Sequence, residues 1–209
     1  MLFLMKSTTA LLILALLMIS SCTRRPVQKD VILNNDPADR TGQHRKMVSS
    51  PGAADATYEL QFIDTMVAQH ETAIDAAQLA ATRAQHTEIK QFAREFIEEQ
   101  RKDITAMRQM RSAWFGNAAP AINADLPGMQ EMVAVVDLNQ LDRLKESAFD
   151  LEFIRQMTVQ DQSAIKLTED ALRNNVRPEL KLLAENIAGS RSKDIDKLQN
   201  WERQWGVNE

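Results

Sequence analysis

Met66 and His70 are the side chains whose types and spacing point most directly to chemistry in this sequence. They lie four positions apart, so a helix would place the thioether and the imidazole on the same face. Met107, with Met110 close by, could add a third donor from a partner helix. Thioether sulfur beside imidazole favours a soft ion, copper(I) above all, whereas zinc would require more histidine, cysteine or carboxylate ligands. These residues therefore form a candidate copper(I) site.

The same side chains also fit a purely structural role. Met66 and Met107 could be ordinary core residues, because methionine fills irregular gaps well, and His70 could be a hydrogen-bonded core histidine. His86 is a further candidate metal ligand, but it stands at an expected helix start, where its ring could instead cap free backbone amides. The residue pattern leaves both interpretations open.

Several other chemistries lack their usual residues. The sequence has no Glu-x-x-His pair for a carboxylate di-iron site, no Cys-x-x-Cys-His for haem and no glycine-rich phosphate loop. No nucleophile with a paired base is evident, so we expect a protein that is not an enzyme. The net charge of −4 gives no reason to expect nucleic-acid binding.

An internal repeat predicts the elements that must position these residues. Side chains of one type recur at a constant offset of 91 positions, without a gap. The matching pairs are Phe62 and Phe153, Met66 and Met157, Ala73 and Ala164, Asp103 and Asp194, and Trp114 and Trp205. We read this as a duplication, with repeats at about 58–114 and 149–205 inside a domain spanning 57–209.

Each repeat reads as two helices. Apolar residues recur at spacings of three and four along each expected helix, which indicates one buried stripe. In the first helices these are Phe62, Met66, Ala73, Ala77 and Ala80, and then Met157, Ala164, Ile165 and Leu172. Pro178 suits a first helical turn, so its equivalent Thr87 places a helix start near His86. The prediction is an all-α, ferritin-like four-helix bundle of two duplicated α-hairpins, with one short extra helix over Met129 to Leu144.

The opening of repeat one resembles a known family motif. Glu59-x-x-Phe62-x-x-x-Met66-x-x-Gln69-His70-x-x-Ala73-Ile74 is similar to the Asp-x-x-Phe-x-x-x-Met-x-x-His-His-x-x-Ala-Ile motif of the domain-of-unknown-function 305 family. The resemblance implies a ferritin-like bundle outside the cytoplasm and, as in some members, copper binding through methionine and histidine. The sequence departs from the motif where the His-His pair belongs, with Gln69-His70 in repeat one and Gln160-Asp161 in repeat two.

Asp161 and Gln69 are the expected supporting residues around His70. Asp161 is the equivalent of His70, and equivalent inward positions can meet near a two-fold axis, so we expect a direct hydrogen bond or ion pair between them. That pair could be structural, or it could orient His70 towards a copper ion. Gln69 and its equivalent Gln160 are expected to form hydrogen bonds near the bundle centre.

The N-terminal segment predicts where the protein acts. Residues 1–21 read as a signal peptide ending before Cys22, the only cysteine, in a setting that resembles a bacterial lipobox. An ordinary secreted protein with one spare cysteine is the alternative. Residues 22–56 read as a lipidated tether, and Thr23 after the cysteine favours the outer membrane, facing the periplasm. We therefore expect an envelope-anchored lipoprotein that binds or buffers copper; the alternative is a structural or interaction bundle that has lost its metal site.

Overall fold

Six α-helices account for most of the part of the chain that the structure, a computed structural model, describes: residues 47–206. They are α1 (Tyr58–Arg83), α2 (Thr87–Phe115), α3 (Met129–Val135), α4 (Leu138–Arg143), α5 (Glu146–Arg173) and α6 (Pro178–Trp205). A 3₁₀ turn at Ala53–Asp55 precedes α1, and residues 47–206 contain no strand. None of these helices is both long and apolar enough to cross a membrane. The expected signal peptide, Cys22 and most of the tether lie outside the described residues.

The four long helices form two antiparallel hairpins, as the repeat predicts. Helix α1 packs along α2, α5 packs along α6, and the hairpins meet mainly through α1 and α5. The second helices begin at Thr87 and Pro178, which are 91 positions apart like the matched residues of the sequence. The prediction of an all-α, ferritin-like four-helix bundle built from two α-hairpins is confirmed.

The apolar stripe of α1 forms the core, but the predicted stripe of α5 is partly wrong. Phe62, Met66 and the alanines predicted to be buried in α1 are all at most 1% exposed. In α5, Leu172 is 37% exposed, and Ala171 is buried in its place. A one-residue shift at the end of a helix rotates a side chain by about 100°, which is enough to carry it from the core to the surface.

The linker between the hairpins forms two short helices, α3 and α4, where the sequence predicted one. Asp137 separates them, because its carboxylate accepts from the Gln140 N–H at the start of α4 while its own N–H donates to Gln156 Oε1. Gly128, just before α3, lies against α5: its φ is +87° and a Cβ there would stand 2.7 Å from the Ser163 carbonyl oxygen. Only glycine suits both conditions, and the linker is thereby held against α5.

Candidate metal centre

Two glutamines join the repeats at the centre of the bundle. The Gln69 side-chain amide donates to the Gln160 backbone carbonyl oxygen at 2.8 Å. In return, the Gln160 side-chain amide donates to the Gln69 backbone carbonyl oxygen at 2.7 Å. Both side chains are 1% exposed. These reciprocal hydrogen bonds confirm the prediction that the matched glutamines bond near the centre, and they fix α1 against α5 beside His70.

His70 presents one free ring nitrogen in the core. Because the Gln69 amide nitrogen faces Gln160, its Oε1 faces His70 Nδ1 at 2.9 Å and can only accept, so Nδ1 carries the hydrogen. Complete burial lowers the pKa of His70 below 6.5, against an opposing contribution from Asp103, so the ring is neutral at pH 7. Nε2 therefore holds a lone pair, and it has no hydrogen-bond partner.

Asp103 of α2 lies directly opposite this lone pair. Its Oδ2 is 3.6 Å from His70 Nε2, and its side chain is 22% exposed, whereas His70 is fully buried. The imidazole lone pair and the carboxylate oxygen are both acceptors, and the structure places no donor hydrogen between them. A cation between them would satisfy both, and Asp103 is the member of the pair that meets solvent.

Met66 and Met107 lie one helical turn away from this pair. Met66 precedes His70 by four positions and Met107 follows Asp103 by four, so in an antiparallel hairpin the two methionines stand at one level. Both are fully buried in the same core cluster. Within residues 47–206, no three His, Cys, Asp or Glu side chains group as a metal site. The donors available to an ion here are one imidazole, one carboxylate and, one turn away, two thioethers; the imidazole and the thioethers are the donors that suit a soft ion.

The equivalent positions of repeat two hold different chemistry. Asp161 replaces His70, Asp194 matches Asp103, and Arg191 of α6 takes the position of Gln100. The Arg191 guanidinium lies 3.1 Å from Asp194 Oδ2 and 3.8 Å from Asp161 Oδ1. Burial raises the pKa of Asp161 well above 3.8 and also raises that of Asp194, against the opposing charge of Arg191.

The predicted direct hydrogen bond between His70 and Asp161 is not formed. Neither carboxylate oxygen of Asp161 has a hydrogen-bond partner, and its nearest charged neighbour is Arg191. The positive charge of Arg191, rather than the carboxylate of Asp161, acts on His70 and lowers its pKa further. The inward position of Asp161, with 0% exposure, is as predicted, but its charge partner is an arginine that the sequence interpretation left out.

His86 lies at one end of the bundle, away from His70. It precedes α2, whereas His70 lies about 13 residues before the end of α1, which is about 20 Å along the helix. Its Nδ1 is 2.7 Å from Asp150 Oδ2, and its ring stacks on Trp205 at 3.8 Å. Its ring caps no helix amide; Asp150 accepts from the backbone N–H groups of Gln85 and His86. The structure therefore does not bring His86 to Met66, His70 and Met107.

The opposite end of the bundle repeats this arrangement with a permanent cation. Arg177, the equivalent of His86, lies 3.2 Å from Glu59 Oε2, and its guanidinium stands 4.6 Å from the centre of the Trp114 ring. Glu59 and Trp114 are the equivalents of Asp150 and Trp205. The contacts of His86 thus belong to a repeated structural arrangement, in which a residue of one hairpin packs between a carboxylate and a tryptophan of the other.

Asp103 and Arg191 are the two central residues that the sequence interpretation did not treat as part of a site. The signal for Asp103 was its spacing, since it precedes Met107 by four positions. Arg191 stands on the buried stripe of α6, four residues after Ile187 and seven before Leu198, both buried. A charged residue on an apolar stripe is an informative exception to the rule that charges face solvent.

Residues 59–202 match the family model described as Domain of unknown function (DUF305). Among solved structures, CopM in the Cu(II)-bound form is 34% identical, with 70% of this chain and 97% of that chain covered and a TM-score of 0.62. CopM in the Cu(I)-bound form is 31% identical, with 72% and 99% covered and a TM-score of 0.61. A DUF305 fragment from Deinococcus radiodurans is 25% identical, with 71% and 98% covered and a TM-score of 0.60. None of the curated proteins compared with this chain matches it.

Proposed function

Because the chain belongs to the DUF305 family, we propose that its bundle binds copper, with His70 as the central ligand. The observation that carries the proposal is the Nε2 atom of His70, which is buried without a hydrogen-bond partner, while the orientation of Gln69 assigns the ring hydrogen to Nδ1. A buried polar atom is normally hydrogen-bonded, so a lone pair held in this way is available to a metal. CopM, whose solved structures include Cu(I)- and Cu(II)-bound forms, is 31–34% identical to this chain.

The ligand set that we propose is His70 with Met66 and Met107. Copper(I) is a soft ion that accepts imidazole and thioether ligands, and both methionine side chains are fully buried, Met66 one helical turn before His70 and Met107 one turn after Asp103. Gln69 holds the His70 ring in one orientation through Nδ1, a role that outer hydrogen bonds often play around metal ligands. Asp103 would neutralise part of the ion's charge and provide the approach from solvent. This arrangement suits reversible binding and buffering rather than catalysis.

Titration with copper(I) against a competing chelator tests the proposal. All proteins would be the full chain carrying Cys22→Ser, because an unlipidated thiol would itself bind copper(I). We expect one tightly bound ion per chain, and a loss of at least tenfold in affinity in each of His70→Leu and Met66→Leu. Met157→Leu is the matched control, since Met157 is the equivalent of Met66, equally buried but in repeat two; it should bind as the parent does.

Two results would contradict the proposal. If the parent binds no copper(I) in competition with the chelator, the chain is better described as a structural or interaction bundle that has lost its site. If Met66→Leu and Met157→Leu lose affinity equally, copper binds elsewhere, or the losses reflect general damage to the core. Circular dichroism of each variant separates that damage from the loss of a ligand.

We further propose that a lipid on Cys22 anchors the bundle to the cell envelope, facing the periplasm. The support is the sequence pattern of residues 1–22. Expression of Cys22→Ser should move the protein from the membrane fraction to the soluble fraction. Continued membrane association of the variant would contradict the anchor while leaving the copper proposal untouched.

A further inference from the structure

Arg191 is the largest fully buried side chain in the described residues, and it stands at the centre of the bundle. Its guanidinium contacts Asp194 and Asp161 of its own repeat, reaches Glu99 of α2 at 3.3 Å, and lies 4.6 Å from the centre of the Phe96 ring. Burying a guanidinium has a large desolvation cost, which is offset here by opposite charges and an aromatic face. Arg191 therefore supplies the positive charge that balances the buried carboxylates of repeat two.

The duplication shows which groups of repeat one stand at the equivalent positions. The two groups that Arg191 bridges, Asp161 and Asp194, are the equivalents of His70 and Asp103. In repeat one those two groups face each other without a donor hydrogen between them, and the residue equivalent to Arg191 is Gln100, whose Oε1 also has no partner. One repeat therefore has acceptors without a cation, and the other has acceptors with a cation built into the chain.

We infer that the Arg191 guanidinium occupies in repeat two the place that a copper ion takes in repeat one, and so limits the chain to one copper ion. The inference rests on the proposed function for the identity of the ion. Its physical basis is the placement of Arg191: a fixed positive charge between Asp161 and Asp194 repels a metal cation and fills the space that the cation would need. The loss of the second motif histidine and the gain of Arg191 are then two parts of one exchange, in which a bound ion is replaced by a side chain.

Restoring the composition of repeat one in repeat two tests the inference. The first variant, Asp161→His/Leu198→Met, supplies the missing imidazole and thioether but keeps Arg191. The second variant adds Arg191→Gln, so that repeat two then carries the histidine, glutamine, aspartate and methionines of repeat one. Both are made in the full chain with Cys22→Ser and titrated with copper(I) against a chelator. We expect the first variant to bind as many ions as the parent, and the second to bind one more.

The count in the parent protein and the gain in the variant report on different claims. A parent that binds no ion contradicts the proposed function, and the inference falls with it; in a parent that binds one ion, the difference between the two variants tests Arg191 alone. If the variant that keeps Arg191 already gains an ion, or if the triple variant is folded and gains none, the inference is wrong. Urea unfolding provides a readout without copper: the triple variant should retain most of the parent's stability, because each introduced residue already stands buried at the equivalent position of repeat one.

The reverse exchange keeps the inference testable if the triple variant does not fold. Gln100→Arg places a guanidinium beside His70 and Asp103, and it should abolish copper(I) binding by repeat one. Gln100→Leu removes the same amide without adding a charge. If Gln100→Arg binds copper as the parent does, or if Gln100→Leu loses as much binding as Gln100→Arg, the guanidinium is not the cause and the inference fails.

Discussion

At the centre of repeat one, His70 and Asp103 face each other across 3.6 Å, whereas in repeat two the equivalent Asp161 and Asp194 both lie beside the Arg191 guanidinium. The helices around the two centres follow the same plan, and Gln69 and Gln160 make the same hydrogen bond in opposite directions. The comparison teaches that a duplicated bundle can keep its packing while one of its two centres gains a positive charge from a side chain of the protein itself. Experiments on equivalent positions can therefore separate what the fold needs from what a ligand needs.

The largest effect is expected from removing the built-in cation. Arg191→Met would leave Asp161 buried without a counter-charge and Asp194 with only Lys197 Nζ at 4.0 Å, and it should lower the free energy of unfolding by about 3–5 kcal/mol. Gln100→Met at the equivalent position removes an amide whose Oε1 has no partner, so the change should be about 1 kcal/mol or less. Urea unfolding of the two variants measures the difference. Equal losses would mean that the centres do not differ in the way the structure indicates.

An intermediate effect is expected at the two glutamines. Gln69→Leu and Gln160→Leu each remove one hydrogen bond across the repeats, while the backbone carbonyl that accepted it keeps its bond within the helix, so the loss of that bond costs about 0.5–1.5 kcal/mol. The Gln69 variant should be the less stable of the two, because Gln69 Oε1 also accepts from His70 Nδ1. Thermal unfolding monitored by circular dichroism would show the order, and a less stable Gln160→Leu would contradict the assigned role of Gln69.

The smallest effect is expected for Asp161→Asn and depends on pH. Burial raises the pKa of Asp161 above 3.8, so above that pH the folded protein holds a proton that the unfolded chain has lost. The stability of the parent should therefore fall as the pH rises from 3.8 towards the folded-state pKa, and Asp161→Asn should remove the contribution of Asp161 to this fall, leaving that of Asp194, whose pKa is also raised. The variant should thus be more stable than the parent at neutral pH. Asp196→Asn, an exposed change on the same helix as Arg191, controls for net charge; the same response in both would refute this account.

Much of the fold could be predicted from the sequence, because each helix of the hairpin occurs in two copies whose residue patterns can be compared. The spacing of apolar residues placed Phe62, Met66 and Ala73 in the core, and Pro178 indicated where the second helix of each repeat begins. The matched glutamines indicated a symmetrical contact, and the structure forms it. These features depend on local periodicity and on the constant offset, which are both visible in one chain.

The candidate site was predicted less completely, since its partners come from different helices. His86 was grouped with His70 by residue type, but the structure places it beside Asp150 and Trp205 at one end of the bundle. Asp161 was paired with His70 by symmetry, but the charged group beside its carboxylate is the Arg191 guanidinium, 3.8 Å away. Residue type and spacing state which side chains share a helix face, yet they do not give the rotamers that decide which charges meet.

The sequence by itself determined that this chain duplicates an α-hairpin, most of the helix faces that are buried, and that His70 lies on the buried face of α1. Periodicity carries that information, because burying apolar surface is the main force behind the fold and acts through a pattern of about 3.6 residues. Only the tertiary structure decided that His70 faces Asp103 with a free lone pair and that Arg191 bridges two carboxylates in the other repeat. Such contacts depend on distances of 3.1–3.8 Å between side-chain atoms, several of them on different helices, and a change of one rotamer is enough to replace one partner by another.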